Sequence, residues 1–578
     1  MPHVWNRPFL APLLVVLLYV AAMGITSAHF MADSGGYVVS ILSFAGVDEF
    51  VNENPTVRDY RAQNSFWDFG HLLWRPLGLL AFKVLSPVSS LAVGPDPALN
   101  VYFLLMSLNF LAGLVSVILL YALIQILTER RWLAFFVTAC FILSNGFLNF
   151  TQTGSSYIAG LCFLIVALYL LVNDKGDLRP RTAILAGLAC AAAITLWIPY
   201  VLVLPGTIAA PLVLFGWNTV DKRLLIYAVV TFVAATAVAF LAVMLSIGVH
   251  TPADLRDWIA ASSHGVQISG LARMLLGFAR SFIHLGNDGI LFKRFLLHDP
   301  LNPVTAFDLL RVSLWKLGLF YLMLASLGLS LLFASSRRML VLLLLTAGPL
   351  ILFAIKFDGG AVERYLPLYP VFFVAVAWSL SNARVPRVLK IMPVLFLGLA
   401  VLVNTSVMAR MVLDKQNQRT VERLHAVIPQ LQPNNSLVTT HLQDDLVNFQ
   451  ASFPFEPINR HDTFHVYPLV WMNTAQAGRW RQEFAAHALK SWSENGQVWI
   501  STRLLSPKPE ANWNWVEGDD PRVRWNDLQS FFAHLQTCGT ATSGDGFVQL
   551  SQSEANIGFL RSQTDQVAIN SVSTKDCR

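Results

Sequence analysis

Charge is scarce in this chain. Only 13% of its 578 residues are Asp, Glu, Lys or Arg, while 55% are hydrophobic. A soluble globular protein carries roughly 25% charged residues, so an aqueous setting for most of the chain is excluded. Cysteine is equally sparse, with five residues and no metal-binding spacing. Cys140, Cys162 and Cys190 fall inside apolar runs and read as small core residues. Cys538 and Cys577 lie in the tail, where an oxidising compartment would let them pair. No His pair has a compact ligand spacing, which argues against zinc. The formal net charge is +6, yet no basic stripe is interleaved with aromatics on a soluble segment, which argues against nucleic acid. No internal repeat and no two halves of matched hydropathy are present, which weakens a transporter reading.

What the chain has in abundance is apolar runs of about 20 residues, long enough to cross a bilayer as helices. They recur as far as Leu413. The first covers Pro8 to Ala28; Thr26-Ser27-Ala28 would suit signal cleavage, but the run is long for a signal peptide and is taken as a retained span. His29 to Leu99 is more polar. Within it Tyr37 to Ala45 and Phe69 to Leu85 read as helices lying at the interface, with Trp67, Trp74, Arg75 and Lys83 suited to the headgroup level. Further spans are expected at Val101–Leu127, Trp132–Phe147, Tyr157–Val172, Thr182–Trp197, Tyr200–Phe215, Leu224–Ile247, Leu314–Ala334, Met339–Ile355, Tyr365–Leu380 and Val388–Met408. The expected fold is therefore a polytopic α-helical membrane protein with about eleven transmembrane helices.

Basic residues set the orientation. With Arg7 in the cytoplasm, the short loops bearing Arg130-Arg131, Lys175 to Arg181, Lys222-Arg223, Arg337-Arg338 and Arg384 to Lys390 all face the same way. The opposite short loops, Asn149 to Ser156 and around Pro199, carry no basic residue. This is the positive-inside pattern. It places the residues around Asp33, the loop Gly248 to Val312, the loop Lys356 to Arg364 and the C-terminal tail on the extracytoplasmic side of a plasma (inner) membrane.

The composition changes near Leu413, giving an expected division into a membrane domain, residues 1–412, and a soluble domain, residues 413–578. In the tail Val421–Leu431, Trp480–Trp492 and Trp525–Leu535 have helical patterns, while Ser436–Thr440 and Gln497–Ser501 read as strands. That alternation suggests a small α/β domain. No Gly-rich phosphate loop follows a strand, so no nucleotide is assigned.

Ionisable residues with chemical potential gather on the outer face. Asp33, in Met31-Ala32-Asp33-Ser34-Gly35-Gly36-Tyr37, follows the first span and is suited to accept a proton from a hydroxyl at the membrane surface. It also fits a helix cap or an ordinary loop acid. His71 and Arg75 are placed to reach a phosphate at headgroup depth, although interfacial anchoring explains them as well. Arg364 at the mouth of a late span is a candidate phosphate contact, with Glu363 as its neighbour and potential ion partner. Arg256, Arg273, Arg280, Lys293, Arg294 and Arg311 make the long outer loop basic, which suits an anionic lipid carrier or a face attracted to ordinary anionic lipid.

Together these features resemble the GT-C superfamily of membrane glycosyltransferases, which includes protein O-mannosyltransferases, aminoarabinose transferases and oligosaccharyltransferases. The segment Asp33-Ser34-Gly35-Gly36-Tyr37 is similar to the Asp-containing motif of their first outer loop, and Glu363-Arg364-Tyr365-Leu366-Pro367 to their Arg-Tyr-x-x-Pro entry to a late span, with the proline one residue early. Gly35 stands where a second acid of an Asp-x-Asp motif would be, and no Trp-Trp-Asp signature occurs in the tail. The resemblance implies transfer of a sugar from a polyprenyl or dolichyl monophosphate to an acceptor hydroxyl on a glycan, lipid or protein, with inversion. Asp33 would be the general base. Arg75, His71, Tyr37, Arg364 and Glu363 would bind the donor. No cofactor is implied, and a divalent metal is not favoured. A lipid-linked glycan polymerase or ligase and a lipid-linked sugar flippase are the alternative readings. Spans nearly free of ionisable residues speak against the flippase.

Overall fold

The computed structural model describes residues 9–28, 34–47, 66–95, 97–262, 270–286, 291–292, 295, 303–333, 337–413, 436–439, 463–465, 480–501, 505, 525–538 and 547–564. The chain divides into two compact units. One comprises Met1–Leu285 and Ser313–Leu413, the other Gly286–Val312 and Asp414–Arg578.

The first unit is helical. Its elements are α1 (Leu10–Ile25), α2 (Ser34–Phe44), a 3-10 turn (Phe69–His71), α3 (Trp74–Val93), α4 (Pro97–Thr128), α5 (Arg131–Ile142), α6 (Asn145–Phe150), α7 (Tyr157–Val172), α8 (Pro180–Leu196), a 3-10 segment (Ile198–Val203), α9 (Leu204–Phe215), α10 (Lys222–Ser246), α11 (Pro252–Ser262) and α12 (Leu271–Phe282). After these come α13 (Trp315–Leu331), α14 (Arg337–Lys356), a 3-10 turn (Glu363–Leu368), α15 (Tyr369–Ser381) and α16 (Arg387–Leu413). Most of these helices are apolar on every side, the pattern of helices that meet either a protein core or lipid. Among the described residues seven are long and apolar enough to cross a membrane by length and composition, and four shorter apolar helices accompany them. α4, α7, α8 and α15 form the centre, burying Leu120, Leu161, Ile165, Ala193 and Phe373. α10 packs on α8 and leaves Ile226, Val230, Val233, Leu241 and Leu245 exposed. In a membrane protein such faces meet acyl chains rather than water.

The departures from the sequence expectation include two segments near the site. The segment expected to lie at the interface from Phe69 to Leu85 instead becomes a 3-10 turn followed by a helix of 20 residues, long and apolar enough to cross. Its exposed Leu80, Val84, Val88 and Leu91 form one apolar stripe. The Ser-Pro-Val-Ser-Ser stretch beyond Leu85 continues the helix. Pro87 lies inside this helix and removes one backbone donor; beyond it the Ser90 hydroxyl donates to Ser86 O at 2.7 Å and the Ser89 hydroxyl to Asn100 Oδ1 at 2.6 Å. The second difference is at Trp132–Phe147, expected as one span. It breaks at Leu143-Ser144, between α5 and α6. Asn404 Nδ2 satisfies the freed Leu143 carbonyl at 2.9 Å, and Asn145 Nδ2 reaches Arg280 O at 2.7 Å. Asn149 and Asn404, which stand in glycosylation-like tripeptides, are fully buried and serve the fold. Cys140, Cys162 and Cys190 are buried free thiols.

The second unit contains a mixed five-stranded sheet in the order β2-β1-β3-β5-β4, formed by β1 (Ser436–Thr439), β2 (Thr463–His465), β3 (Val498–Ser501), β4 (Thr537–Cys538) and β5 (Phe547–Leu550). β1 is parallel to β2 and β3, and β5 is antiparallel to β3 and β4. The helices α17 (Trp480–Ser493) and α19 (Glu554–Gln563) pack together, burying Phe484, Leu489, Ile557 and Leu560; α18 (Trp525–Ala533) adds Phe531 and Phe532. The expected helix Val421–Leu431 and the Cys538–Cys577 pairing lie outside what the described residues cover.

Candidate functional site

The site is assembled around the turn that precedes α3. Asp68 has extended backbone and caps the 3-10 turn, its Oδ1 accepting from Gly70 N at 2.9 Å. Aspartate suits this role because its short carboxylate reaches its own backbone two residues on. The other oxygen accepts from Arg75 Nη1 at 3.1 Å, and both side chains are more than nine-tenths buried. Arg75 Cζ stands 4.8 Å from the centroid of the Tyr37 ring, an aromatic face that favours a guanidinium. Its Nε is buried and has no hydrogen-bond partner among the described residues.

A buried polar loop between α6 and α7 holds these pieces together. His71 Nδ1 lies 2.6 Å from Ser156 Oγ, and Trp74 Nε1 donates to Gly154 O at 2.8 Å. Gly154 N in turn donates to Ser34 Oγ at 2.9 Å, at the first residue of α2. Asn109 Nδ2 from the middle of α4 donates to Thr153 O at 2.6 Å, fixing the loop from below. Four hydrogen bonds thus tie α2, the Asp68 turn, α3 and α4 to a segment whose composition, Thr-Gln-Thr-Gly-Ser-Ser, reads in sequence as an ordinary turn.

The second cation comes from the loop between α14 and α15. Arg364 Nη2 faces Asp358 Oδ2 at 3.4 Å, and its Cζ lies 4.8 Å from the Phe357 ring and 5.7 Å from the Trp197 ring. Its Nε is also buried without a partner among the described residues. Asp358 has φ +43°, a left-handed conformation uncommon for a residue with a side chain. α12 pins this loop. Gly277 passes so close that an added Cβ would sit 2.0 Å from Gly359 O. Arg280 Nη1 donates to Gly360 O at 3.2 Å, and Tyr365 OH bonds to Gly359 O at 2.6 Å.

A row of rings connects the two arginines. Arg75 stands over Tyr37, Tyr37 meets His71 edge-on at 5.6 Å, and His71 neighbours Tyr157 at 5.9 Å. Tyr157 meets Trp197 at 4.7 Å, and Trp197 reaches Arg364. All these groups lie at one end of their helices. At the opposite end of α7, Lys175 Nζ pairs with Glu129 at 3.1 Å, and Arg338 donates to Leu214 O at 3.2 Å. The basic loops therefore cluster away from the arginine site.

α11 buttresses the Asp68 turn. Trp258 Nε1 donates to Trp67 O at 2.7 Å, and its ring meets Phe69 at 5.1 Å. The helix starts with Asp254 accepting from His250 N and Thr251 N at 3.1 and 2.9 Å. The Thr251 backbone, its hydroxyl and His250 N hold the Asp254 carboxyl below the usual carboxylate range.

Of the residues singled out in sequence, Tyr37, His71, Arg75 and Arg364 are joined by this row. Glu363 opens the 3-10 turn next to Arg364, but the ion pair of Arg364 is with Asp358. Asp33 lies outside the described residues; its neighbour Ser34 is the fully buried anchor of α2. Asp68, Ser156, Tyr157, Trp197 and Asp358 are the members that sequence reading missed. Asp68 and Asp358 stand only seven and six residues from the arginines they meet but read in sequence as ordinary loop acids, whereas Ser156, Tyr157 and Trp197 are distant in the chain. Among the described residues no three His, Cys, Asp or Glu side chains converge on a metal position.

No protein-family model matches the chain, and no curated protein matches it. Solved structures do align along most of its length. ArnT from Cupriavidus metallidurans bound to undecaprenyl phosphate aligns at 12% identity with TM-score 0.49, covering 95% of this chain and 98% of that one. The apo state of the same protein gives 12% identity and TM-score 0.49, covering 96% and 98%. An oligosaccharyltransferase of Archaeoglobus fulgidus, in complex with Zn and sulfate, aligns at 11% identity and TM-score 0.40 over 93% of this chain and 72% of that one.

Proposed function

We propose that the protein is an integral-membrane glycosyltransferase. It moves a sugar from a polyprenyl monophosphate to an acceptor hydroxyl on the extracytoplasmic face, with inversion. The observation that carries this reading is the pair of arginines, Arg75 buried and Arg364 partly buried, at the two ends of one aromatic row in a helical bundle. A buried cation is costly and persists where it has a task. The task that fits here is a phosphate leaving group. Negative charge develops on the phosphate as the bond to the anomeric carbon breaks, and fixed guanidinium groups favour that charge more than the ground state. His71 and Tyr37 line the path between them, and Glu363 sits beside Arg364. Asp33, directly preceding the anchored Ser34, takes the proton from the acceptor hydroxyl.

Orientation follows from charge. The end of the bundle with Arg130, Arg131, Lys175, Arg337 and Arg338 faces the cytoplasm. The arginine site and the C-terminal domain then face outward across the plasma membrane. The lipid donor enters from the outer leaflet.

The test is a panel of polyprenyl-phosphate sugars incubated with the purified protein, monitored for transfer or release of sugar. Asp33→Asn is expected to lower transfer by a factor of about 10²–10⁴, the usual contribution of a general base. Full activity of Asp33→Asn would sink the assigned base. No turnover with any polyprenyl-phosphate sugar would sink the reaction class.

A further inference from the structure

Both arginines share an arrangement beyond their charge. At Arg75 one Nη edge is taken by a carboxylate, one face by an aromatic ring, and Nε is left without a partner among the described residues. At Arg364 the same three features recur with Asp358 and the rings of Phe357 and Trp197. We propose that Asp68 is a positioning residue for Arg75: it fixes the guanidinium by Nη1, keeps the Nε edge for the donor phosphate, and offsets enough charge for the lipid phosphate to leave after transfer. This inference rests on the site being a lipid-phosphate transferase site.

The geometry suits the role. Asp68 Oδ1 is itself held by Gly70 N at 2.9 Å, so the carboxylate is part of the turn and cannot follow Arg75 if the arginine moves. Asp68 Oδ2 and the Tyr37 ring restrain the guanidinium on one edge and one face. A bidentate phosphate contact needs two parallel N–H groups on one edge of the fork, and Nε, on the edge away from Asp68, has no acceptor among the described residues. Asp68 is 5% exposed, so water and salt screen its charge from Arg75 only weakly. An anion arriving at Arg75 meets a cation already partly neutralised. It is bound, but less tightly than by a bare guanidinium. A transferase gains from this, because the product of its reaction is a more highly charged phosphate than the donor.

The experiment compares wild type, Asp68→Asn and Asp68→Glu as full-length purified protein in lipid nanodiscs, with a polyprenyl monophosphate as the binding probe and steady-state sugar transfer as the second readout. Asp68→Asn keeps the shape and removes the charge. It is expected to bind the polyprenyl phosphate roughly tenfold tighter, the scale of one charge-assisted hydrogen bond rebalanced. The donor KM and kcat should fall together, since product release slows. Asp68→Glu is expected to restore wild-type values. A merely structural Asp68 would instead weaken binding or leave the affinity unchanged, and either result overturns the proposal while the transferase reading stands. Absence of polyprenyl-phosphate binding by the wild type overturns both. If Asp68→Asn does not fold, Asp358→Asn at the more exposed pair carries the same expectation, and unchanged affinity there overturns it.

Discussion

Ser34 Oγ accepts a hydrogen bond from Gly154 N at 2.9 Å, tying the start of α2 to the loop that also holds His71 and Trp74. Through this bond the segment after the first span is registered against the arginine site. Ser34→Ala leaves a buried N–H without an acceptor, at a cost of about 1–3 kcal/mol. A lower unfolding temperature together with reduced sugar transfer is the expected result. An unchanged melting curve would show that the bond does not hold α2.

Replacing either arginine by lysine keeps the charge and loses the planar fork. Arg75→Lys and Arg364→Lys are each expected to reduce transfer by about 10²–10³, the range for loss of one donor aimed at developing charge. Steady-state rates with a polyprenyl-phosphate sugar measure this. Rates within twofold of wild type would remove that arginine from the site.

Gly277 offers a test remote from the chemistry. Its missing Cβ leaves room for Gly359 O, and Gly277→Ala must displace backbone in the loop that carries Asp358 and Arg364. Overpacking of this kind costs about 1–3 kcal/mol. Transfer should fall with stability. Gly328→Ala, inside α13 with nothing within 4 Å of the added Cβ, is the control and should lower neither.

The N-terminus of α11 provides a pH signature. Asp254 has its carboxyl depressed, chiefly by the Thr251 backbone N–H. A depressed carboxylate contributes stability above its unfolded pKa of about 3.9, and that contribution is lost as pH falls through the folded value. Amide exchange in residues 252–262 should therefore accelerate as pH drops below about 4, once the intrinsic pH dependence of exchange is divided out. Asp254→Asn should remove that step. Trp258, which braces the Asp68 turn, reports the same loosening by fluorescence.

Much of this protein is written in single residues and their spacing. Uncharged apolar runs of about 20 residues read as helices in lipid, because a helix satisfies its backbone groups internally. That is why most spans, and the apolar setting of Cys140, Cys162 and Cys190, were legible in the chain. The pattern failed at Leu143, where Asn404 from a distant helix satisfies the carbonyl that the break sets free.

The site divides the same way. Arg75, His71, Tyr37 and Arg364 could be chosen from sequence because an ionisable or aromatic group beside an apolar span is conspicuous. Their partners could not. Asp68 and Asp358 look like loop acids, and Trp197 and Tyr157 look like ordinary span residues. What makes them a site is that α7, α8, the Asp68 turn and the Arg364 loop end at the same place. By itself the sequence determined that the chain is a polytopic helical membrane protein. Only the tertiary structure decided that Tyr37 meets Arg75 and Trp197 meets Arg364, because those contacts join residues far apart in the chain that no local spacing relates.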